Sequence, residues 1–334
     1  MAEPFKALIC ITSCNRLKEV KKYILDYIKF VNNNTNYHFL LALDGDLDEY
    51  KSFSQKYSIP LLYSEKREGV GLSKNRVLTR FPNYDYYFFI EDDVELLNEA
   101  IFDLHIEMAK ITNYHHLIAS NYERVEKVIH HTNGEKIICA LHGGGQFNFF
   151  TKEGLTKVGG WHDVFAIHRR YGHVEHTQRF VNAGLAPFPF LIIESALKMI
   201  LIHDPGQVTE NKKKHNDSIF IKDEYDLVHK KLTFYPIKTI SSFYFNGMSL
   251  ENIPNTNNIL NRKRKYPLLS FKERKKALSE RYLNLTNNEK SNIKRKVYFL
   301  KFLYFNPFGK KSILFVKNRM NIYFNRINPL KKGK

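Results

Sequence analysis

Long apolar runs are missing from this chain of 334 residues. No stretch of about 18 uncharged apolar residues occurs, so no membrane-spanning helix is expected. The N-terminal MAEPFKALICITSCN has neither a basic n-region nor a long apolar h-region, so no secretory signal is expected. Cysteine is scarce: Cys10, Cys14 and Cys139 are odd in number and lack metal-type spacing. That argues against a disulfide framework and fits small buried residues in a reducing compartment. Internal repeats are absent, and low complexity is confined to a basic tail. Acids are rare in that tail. From residue 261 onward there are 22 Lys and Arg against 3 acids, whereas residues 1–260 sum to a charge of −1, so the net charge of +18 belongs to the C-terminal part. A hydrophobic content of 43 % suffices for one large domain or two.

The stretch that organises the chain is YDYYFFIEDDVELL, residues 84–97. Tyr86 to Ile90 have the composition of a buried central strand. The strand ends on three adjacent acids, Glu91, Asp92 and Asp93. Like charges side by side repel unless a cation or hydrogen-bond donors share the site. The carboxyl end of a strand in an open α/β sheet is also where ligands bind. Mg²⁺-type cations take one or two carboxylates and complete their shell with phosphates and water. The stretch therefore reads as a Mg²⁺ or Mn²⁺ diphosphate site. The alternative is a strand end followed by an acidic helix N-terminus, where Asp and Glu suit the helix dipole.

Around it the elements alternate. Strand-type runs lie at 6–12, 38–43, 61–63 and 86–90, separated by helix-type segments at 17–31, 47–57 and 72–80. The first helix shows apolar residues at three- and four-residue spacing from Leu17 to Val31. This β-α-β order at short spacing predicts an α/β fold, a mostly parallel central sheet with helices on both faces. The strands end on Thr12, Asp44 and the acid triplet, which would line one crevice. Further on come a helix over 98–111, a strand at 117–120, a hairpin over 125–142 turning at Thr132-Asn133-Gly134, and strands at 146–150 and 189–193.

Six pieces then occur in order: ITSCNR, LALDGD, GVGLSKNR, FFIEDDVEL, GGGQFNFFTKEGLTKVGGWHD and YGHVEHTQRFVNAGL. Over residues 5–205 the sequence resembles the GT-A (Rossmann-like) glycosyltransferases, most closely the family 2 group that uses nucleotide sugars. The resemblance implies that Thr12 and Asp44 contact the nucleobase and ribose, and that Lys74 and Arg76 lie near the nucleotide. It implies that Glu91 lies at the donor sugar and Asp92 at the ribose or metal. Asp93 and His203 become the ligands of Mn²⁺ or Mg²⁺, and Trp161 the floor of the acceptor site. Residue chemistry leaves alternatives open: a turn-forming Asp44, solvated Lys74 and Arg76, a packed His203 and a core Trp161.

The family's Glu-Asp pair before Arg179 falls here on Gly172-His173, and its following acidic position on Glu175. Glu175 is the first choice for the base of an inverting transfer and His173 the second. The alternative for Glu175 is an ion pair with Arg179 one helical turn away. Three regions are expected: a catalytic domain over 1–210, a connection over 211–260 and a basic, aromatic-rich helical region over 261–334. In residues 293–327 Lys and Arg alternate with Tyr, Phe, Leu and Ile, with one Pro-Gly break at 307–309 between two helical pieces. Interfacial helices have this composition, and nucleic-acid tails are usually poorer in bulky aliphatics. The alternative is a helical subdomain packed on the enzyme. The expected protein is a cytoplasmic, metal-dependent inverting glycosyltransferase, peripheral on the inner face of the cell membrane. It takes a nucleoside-diphosphate sugar, of the UDP type, to a glycan or lipid-linked glycan in lipopolysaccharide or capsule synthesis, with no nucleic acid as partner. Two other classes stay open: a nucleic-acid-binding protein acting through its tail, and an inactive GT-A-like carbohydrate-binding protein.

Overall fold

Strand β1 (Ala7–Ser13) is buried along its whole length, because it runs through the middle of a sheet covered on both sides. A computed structural model describes the chain over residues 5–45, 48–64, 67–203, 225–226, 228–237, 242–246, 250–253, 271–288 and 292–305. Beside β1 lie β2 (Tyr37–Leu43) and β4 (Tyr86–Glu91), and β3 (Leu61–Tyr63) follows β2, all parallel. The crossovers are α1 (Leu17–Asn32), α2 (Asp48–Tyr57) and α3 (Val70–Arg80).

Side chains alternate between two layers along each strand. Ile9, Ile11, Phe88 and Ile90 enter one core with Val20, Ile24 and Tyr27 of α1 and with α4 (Ile101–Thr112). Leu8, Cys10, Tyr87 and Phe89 enter the other, with Val77 and Leu78 of α3 and with α5 (Lys152–Val158) and α7 (Gly172–Asn182). Helices thus cover both faces of an α/β sheet.

Beyond β4 the sheet becomes mixed. The later strands are β6 (His116–Ile118), β7 (Tyr122–His130), β8 (Lys136–Gly143), β9 (Phe147–Thr151) and β10 (Phe190–Ile193). Strand β9 runs antiparallel to β4 and β6, and β7 and β8 form the expected hairpin. At the other edge β12 (Ser242–Phe245) pairs antiparallel with β3 and with β13 (Leu250–Ile253). Strands Ser242–Phe245 and Leu250–Ile253, in a stretch read from sequence as part of a connection, therefore extend the sheet.

A separate two-stranded ladder joins β5 (Val94–Leu96) to β11 (Ile200–Ile202). Its consequence is local and decisive: the acid triplet leads into a strand, and α4 begins only at Ile101. The helix-dipole account of the acids does not apply.

The chain divides into two compact units, Met1–Tyr225 with His229–Tyr266, and Asp226–Val228 with Pro267–Lys334. In the second unit α8 (Phe271–Asn288) and α9 (Asn292–Phe305) pair through Tyr282, whose ring stacks on Tyr298 and Phe305. The break at 307–309 and the helical piece expected after it lie outside the described residues.

Candidate active site

The turn from β4 to β5 carries Glu91, Asp92 and Asp93. Asp92 meets the N-terminus of α1. Arg16 places Nη1 3.1 Å from Asp92 Oδ1 and Nη2 3.0 Å from Asp93 Oδ2. Ser13 donates to Asp92 Oδ2 at 2.5 Å. The Ser13 hydroxyl lies 2.8 Å from that of Tyr50, which accepts from the Arg16 backbone N–H. One oxygen, Asp93 Oδ1, is buried with no hydrogen-bond partner among the described residues.

Glu91 meets α3. Lys74 is fully enclosed, its ammonium 5.3 Å from the Trp161 ring and 5.8 Å from the Phe89 ring, with Glu91 its main opposite charge. Burial pulls the Lys74 proton affinity down and the Glu91 charge opposes it. Burial likewise pushes the Glu91 carboxyl up to about 7, against Lys74 and with the neighbouring acids. It pushes Asp92 up to about 6, against the Ser13 hydrogen bond and Arg16.

A cavity of about 210 Å³ opens over these strand ends, lined by Thr12, Ser13, Cys14, Arg16, Asp44, Arg67, Val70, Ser73, Glu91, Asp92 and Arg169. Three guanidinium groups on its wall give it the electrostatics of an anion site beside carboxylates. Asp44 accepts at Oδ1 from the Glu68 and Gly69 backbone N–H groups, at 2.6 and 2.9 Å. Gly69 has φ +99°, and a Cβ there would fall on the Ala166 carbonyl, so only glycine fits the loop. Thr12 donates its hydroxyl to the Ile90 carbonyl, 3.2 Å away.

The other expected residues fall in several places. Arg76 is buried, donating from Nη1 to Glu68 and from Nη2 to the Leu43 carbonyl, so it braces the loop and does not line the cavity. Lys74 also lies behind the cavity wall. Trp161 is a core aromatic, not an open floor: its indole stacks on His176 at 4.1 Å, and Asn75 grips its backbone N–H and carbonyl. The β5–β11 ladder brings His203 alongside, its N–H donating to the Asp93 carbonyl. Its imidazole pairs with Glu95 at 2.7 Å and stacks on Tyr23, away from the carboxylate of Asp93, which holds Arg16.

Glu175, the first expectation for a base, takes the ion pair with Arg179 that was its alternative. It is fully buried and its two oxygens face Nε and Nη2 of Arg179 at 2.8 and 3.0 Å. Arg179 also donates to the Val158 carbonyl. Both carboxylate oxygens are thus committed to Arg179. His173 is half-buried beside Gly145, with Nε2 unpartnered. Burial and the Lys74 charge hold its proton affinity down to about 3, so the imidazole is neutral near pH 7.

Residue-type reasoning passed over Arg16, Ser13, Tyr50, Arg67 and Arg169. Only ITSCNR, preceding an amphipathic helix, hinted at the first two. No group of three or more His, Cys, Asp or Glu side chains able to hold a metal occurs among the described residues. The two carboxylates of Asp92 and Asp93, with the free Oδ1 of Asp93, nevertheless suit a cation whose remaining ligands are phosphate and water.

No family model matches the chain, and no curated protein matches it. Solved structures do superpose on it. The mannosyltransferase PcManGT from Pyrobaculum calidifontis, in complex with GDP-Man and Mn²⁺, aligns over 57 % of this chain and 57 % of its own, at 11 % identity and a TM-score of 0.44. S. aureus TarS 1-349 aligns over 68 % and 70 %, at 10 % identity and 0.44. Glucosyl-3-phosphoglycerate synthase from Mycobacterium tuberculosis, with Mn²⁺, UDP and glucosyl-3-phosphoglycerate, aligns over 75 % and 86 %, at 11 % identity and 0.45. The chain thus spans little more than half of the mannosyltransferase. At such similarity the chemistry has to be argued from the residues of the cleft.

The enclosed Glu175–Arg179 pair makes a stability prediction. Glu175→Ala leaves a buried guanidinium uncompensated and lowers unfolding free energy by about 3–5 kcal/mol. Denaturant titration of both proteins measures it. An unchanged midpoint contradicts a structural role for Glu175.

Proposed function

We propose that the chain is a metal-dependent inverting glycosyltransferase that takes its sugar from a nucleoside diphosphate of the UDP type. The observation that carries this is the acid triplet at the end of β4, of which Glu91 and Asp92 line a cavity together with Arg16, Arg67 and Arg169. Carboxylates for a cation next to guanidinium groups for a diphosphate are what a nucleoside-diphosphate donor requires.

Asp92 and Asp93 would hold Mn²⁺ or Mg²⁺, which when bound supplies positive charge against that of the leaving diphosphate. Asp44, fixed by two backbone N–H groups, is placed for the nucleobase or ribose, and Thr12 borders the same space. Arg67 and Arg169 bind phosphate oxygens. With both Glu175 oxygens held by Arg179, we assign the base to His173, whose buried Nε2 has no hydrogen-bond partner among the described residues. Burial, more than the Lys74 charge, holds the imidazole's proton affinity down, and the negative charge of the bound donor offsets the Lys74 part.

The commitment of Glu175 also favours a second reading, a carbohydrate-binding protein that transfers nothing. One set of variants separates the two. Asp93→Ala is expected to abolish both Mn²⁺-dependent stabilisation by UDP and release of UDP from a donor. His173→Gln is expected to keep the stabilisation and lower turnover by about 100-fold or more. UDP and Mn²⁺ binding without any turnover in the unaltered protein supports the second reading, and full activity of Asp93→Ala removes the metal assignment.

For the acceptor, we propose a glycan of lipopolysaccharide or capsule type, lipid-linked and reached at the inner face of the membrane. The support is α9. Val297, Leu300 and Tyr304, spaced three and four apart on one face, are 41, 66 and 78 % exposed, with Lys294 and Lys296 exposed nearby. Apolar residues on one face of a basic helix suit an anionic lipid interface. No helix among the described residues is long and apolar enough to cross a membrane. Replacing Val297, Leu300 and Tyr304 by Ser is expected to weaken binding to vesicles with anionic lipid by about 10-fold or more while leaving donor binding intact. Unchanged co-sedimentation rejects this surface.

A further inference from the structure

Arg16 stands where a cation between Asp92 and Asp93 belongs. Its guanidinium does not form a fork on one carboxylate but bridges two, with Nη1 3.1 Å from Asp92 Oδ1 in an ion pair and Nη2 donating to Asp93 Oδ2 at 3.0 Å. The side chain is 18 % exposed, its Nε is buried without a partner, and its backbone N–H is tied to Tyr50. The buried carboxylates are therefore neutralised from within the chain. Asp92 and Asp93 pair with Arg16, and Glu91 feels the charges of both Lys74 and Arg16.

We propose that Arg16 is a latch on the metal position: it fills the place of the divalent cation in the nucleotide-free cleft, and a nucleoside diphosphate draws it off the acids and lets the metal in. This inference rests on the glycosyltransferase reading above and adds an order of events to it. A divalent cation and a guanidinium cannot share two carboxylates without strong mutual repulsion. Metal alone must therefore expel Arg16 into water and overfill the site with positive charge. Metal arriving with a diphosphate does neither. The anion matches the added charge and offers Arg16 a planar pair of oxygens, which guanidinium binds in preference to most other groups. Arg67 and Arg169 line the same cavity, so the anion is already attracted to where Arg16 has to turn. The free Oδ1 of Asp93 gives the incoming metal its first ligand. Binding of metal and nucleotide is then cooperative, and by linkage each tightens the other by the same factor.

The test is calorimetric titration of the full chain with Mn²⁺, with and without saturating UDP, corrected for Mn²⁺–UDP association in solution. In the unaltered protein UDP is expected to tighten Mn²⁺ at least 10-fold. In Arg16→Gln, Mn²⁺ without UDP is expected to bind at least 10-fold tighter than in the unaltered protein, and the effect of UDP to fall below about threefold. Arg16→Lys keeps a charge but cannot span two carboxylates. It is expected to bind Mn²⁺ alone more tightly than the unaltered protein, and it decides the matter if Arg16→Gln does not fold. Equal Mn²⁺ affinity with and without UDP, or Mn²⁺ affinity unchanged in both variants, overturns the latch. If the unaltered protein binds no UDP at all, the glycosyltransferase reading fails instead. Mn²⁺ binding gained on substitution then upholds Arg16 as a bar to metal, and no Mn²⁺ binding in any of the three proteins overturns that as well.

Discussion

Three acids in a row at the end of a buried strand are the constraint on which the site depends. Ionised carboxylates withdrawn from water are tolerated only when paired. Here Asp92 and Asp93 both meet Arg16, and Asp92 also meets Ser13 and, through it, Tyr50, whereas Glu91 feels the charge of Lys74, whose ammonium lies over Trp161. The partners come from the end of β1, from α2 and from α3, so charge balance at one turn ties together both layers of helices. The incomplete part of that balance is Asp93 Oδ1, buried and without a hydrogen-bond partner among the described residues.

The same logic explains why charged residues beside the cleft need not belong to its chemistry. Arg76 and Arg179 are both enclosed, and each is committed to a carboxylate and a backbone carbonyl. Such pairs hold loops and helices in register. Arg76 keeps the Glu68–Gly69 loop where it can clasp Asp44, and so acts on the cavity without lining it.

Legibility from the residues differed by kind. The alternating β and α elements to Ile90 and the 125–142 hairpin arise from periodicity and turn residues, which are local properties. The acid triplet was legible because three charges after five strand-type residues have few structural excuses. The segment just beyond the triplet was not legible: Val94–Leu96 is too short a run to reveal a strand, and its partner β11 lies about a hundred residues on. Arg16 was hidden for the same reason, since its acids are 76 and 77 residues away. Glu175 could be read either as a base or as an i to i+4 partner of Arg179, and only enclosure of the pair decides. For Trp161, sequence can suggest an aromatic beside a Gly-Gly turn but cannot tell which face is covered. In the structure His176 covers it.

The central claim is that the β4–β5 turn holds a divalent cation together with a nucleoside diphosphate. Crystals grown with Mn²⁺ and UDP, with diffraction data collected at the manganese absorption edge, test it most directly. The account predicts one anomalous peak between the Asp92 and Asp93 carboxylates and the UDP phosphates, with the Arg16 guanidinium turned from the acids onto the diphosphate. UDP bound elsewhere, or bound in the cavity with Arg16 still bridging both acids and no manganese peak, would contradict it.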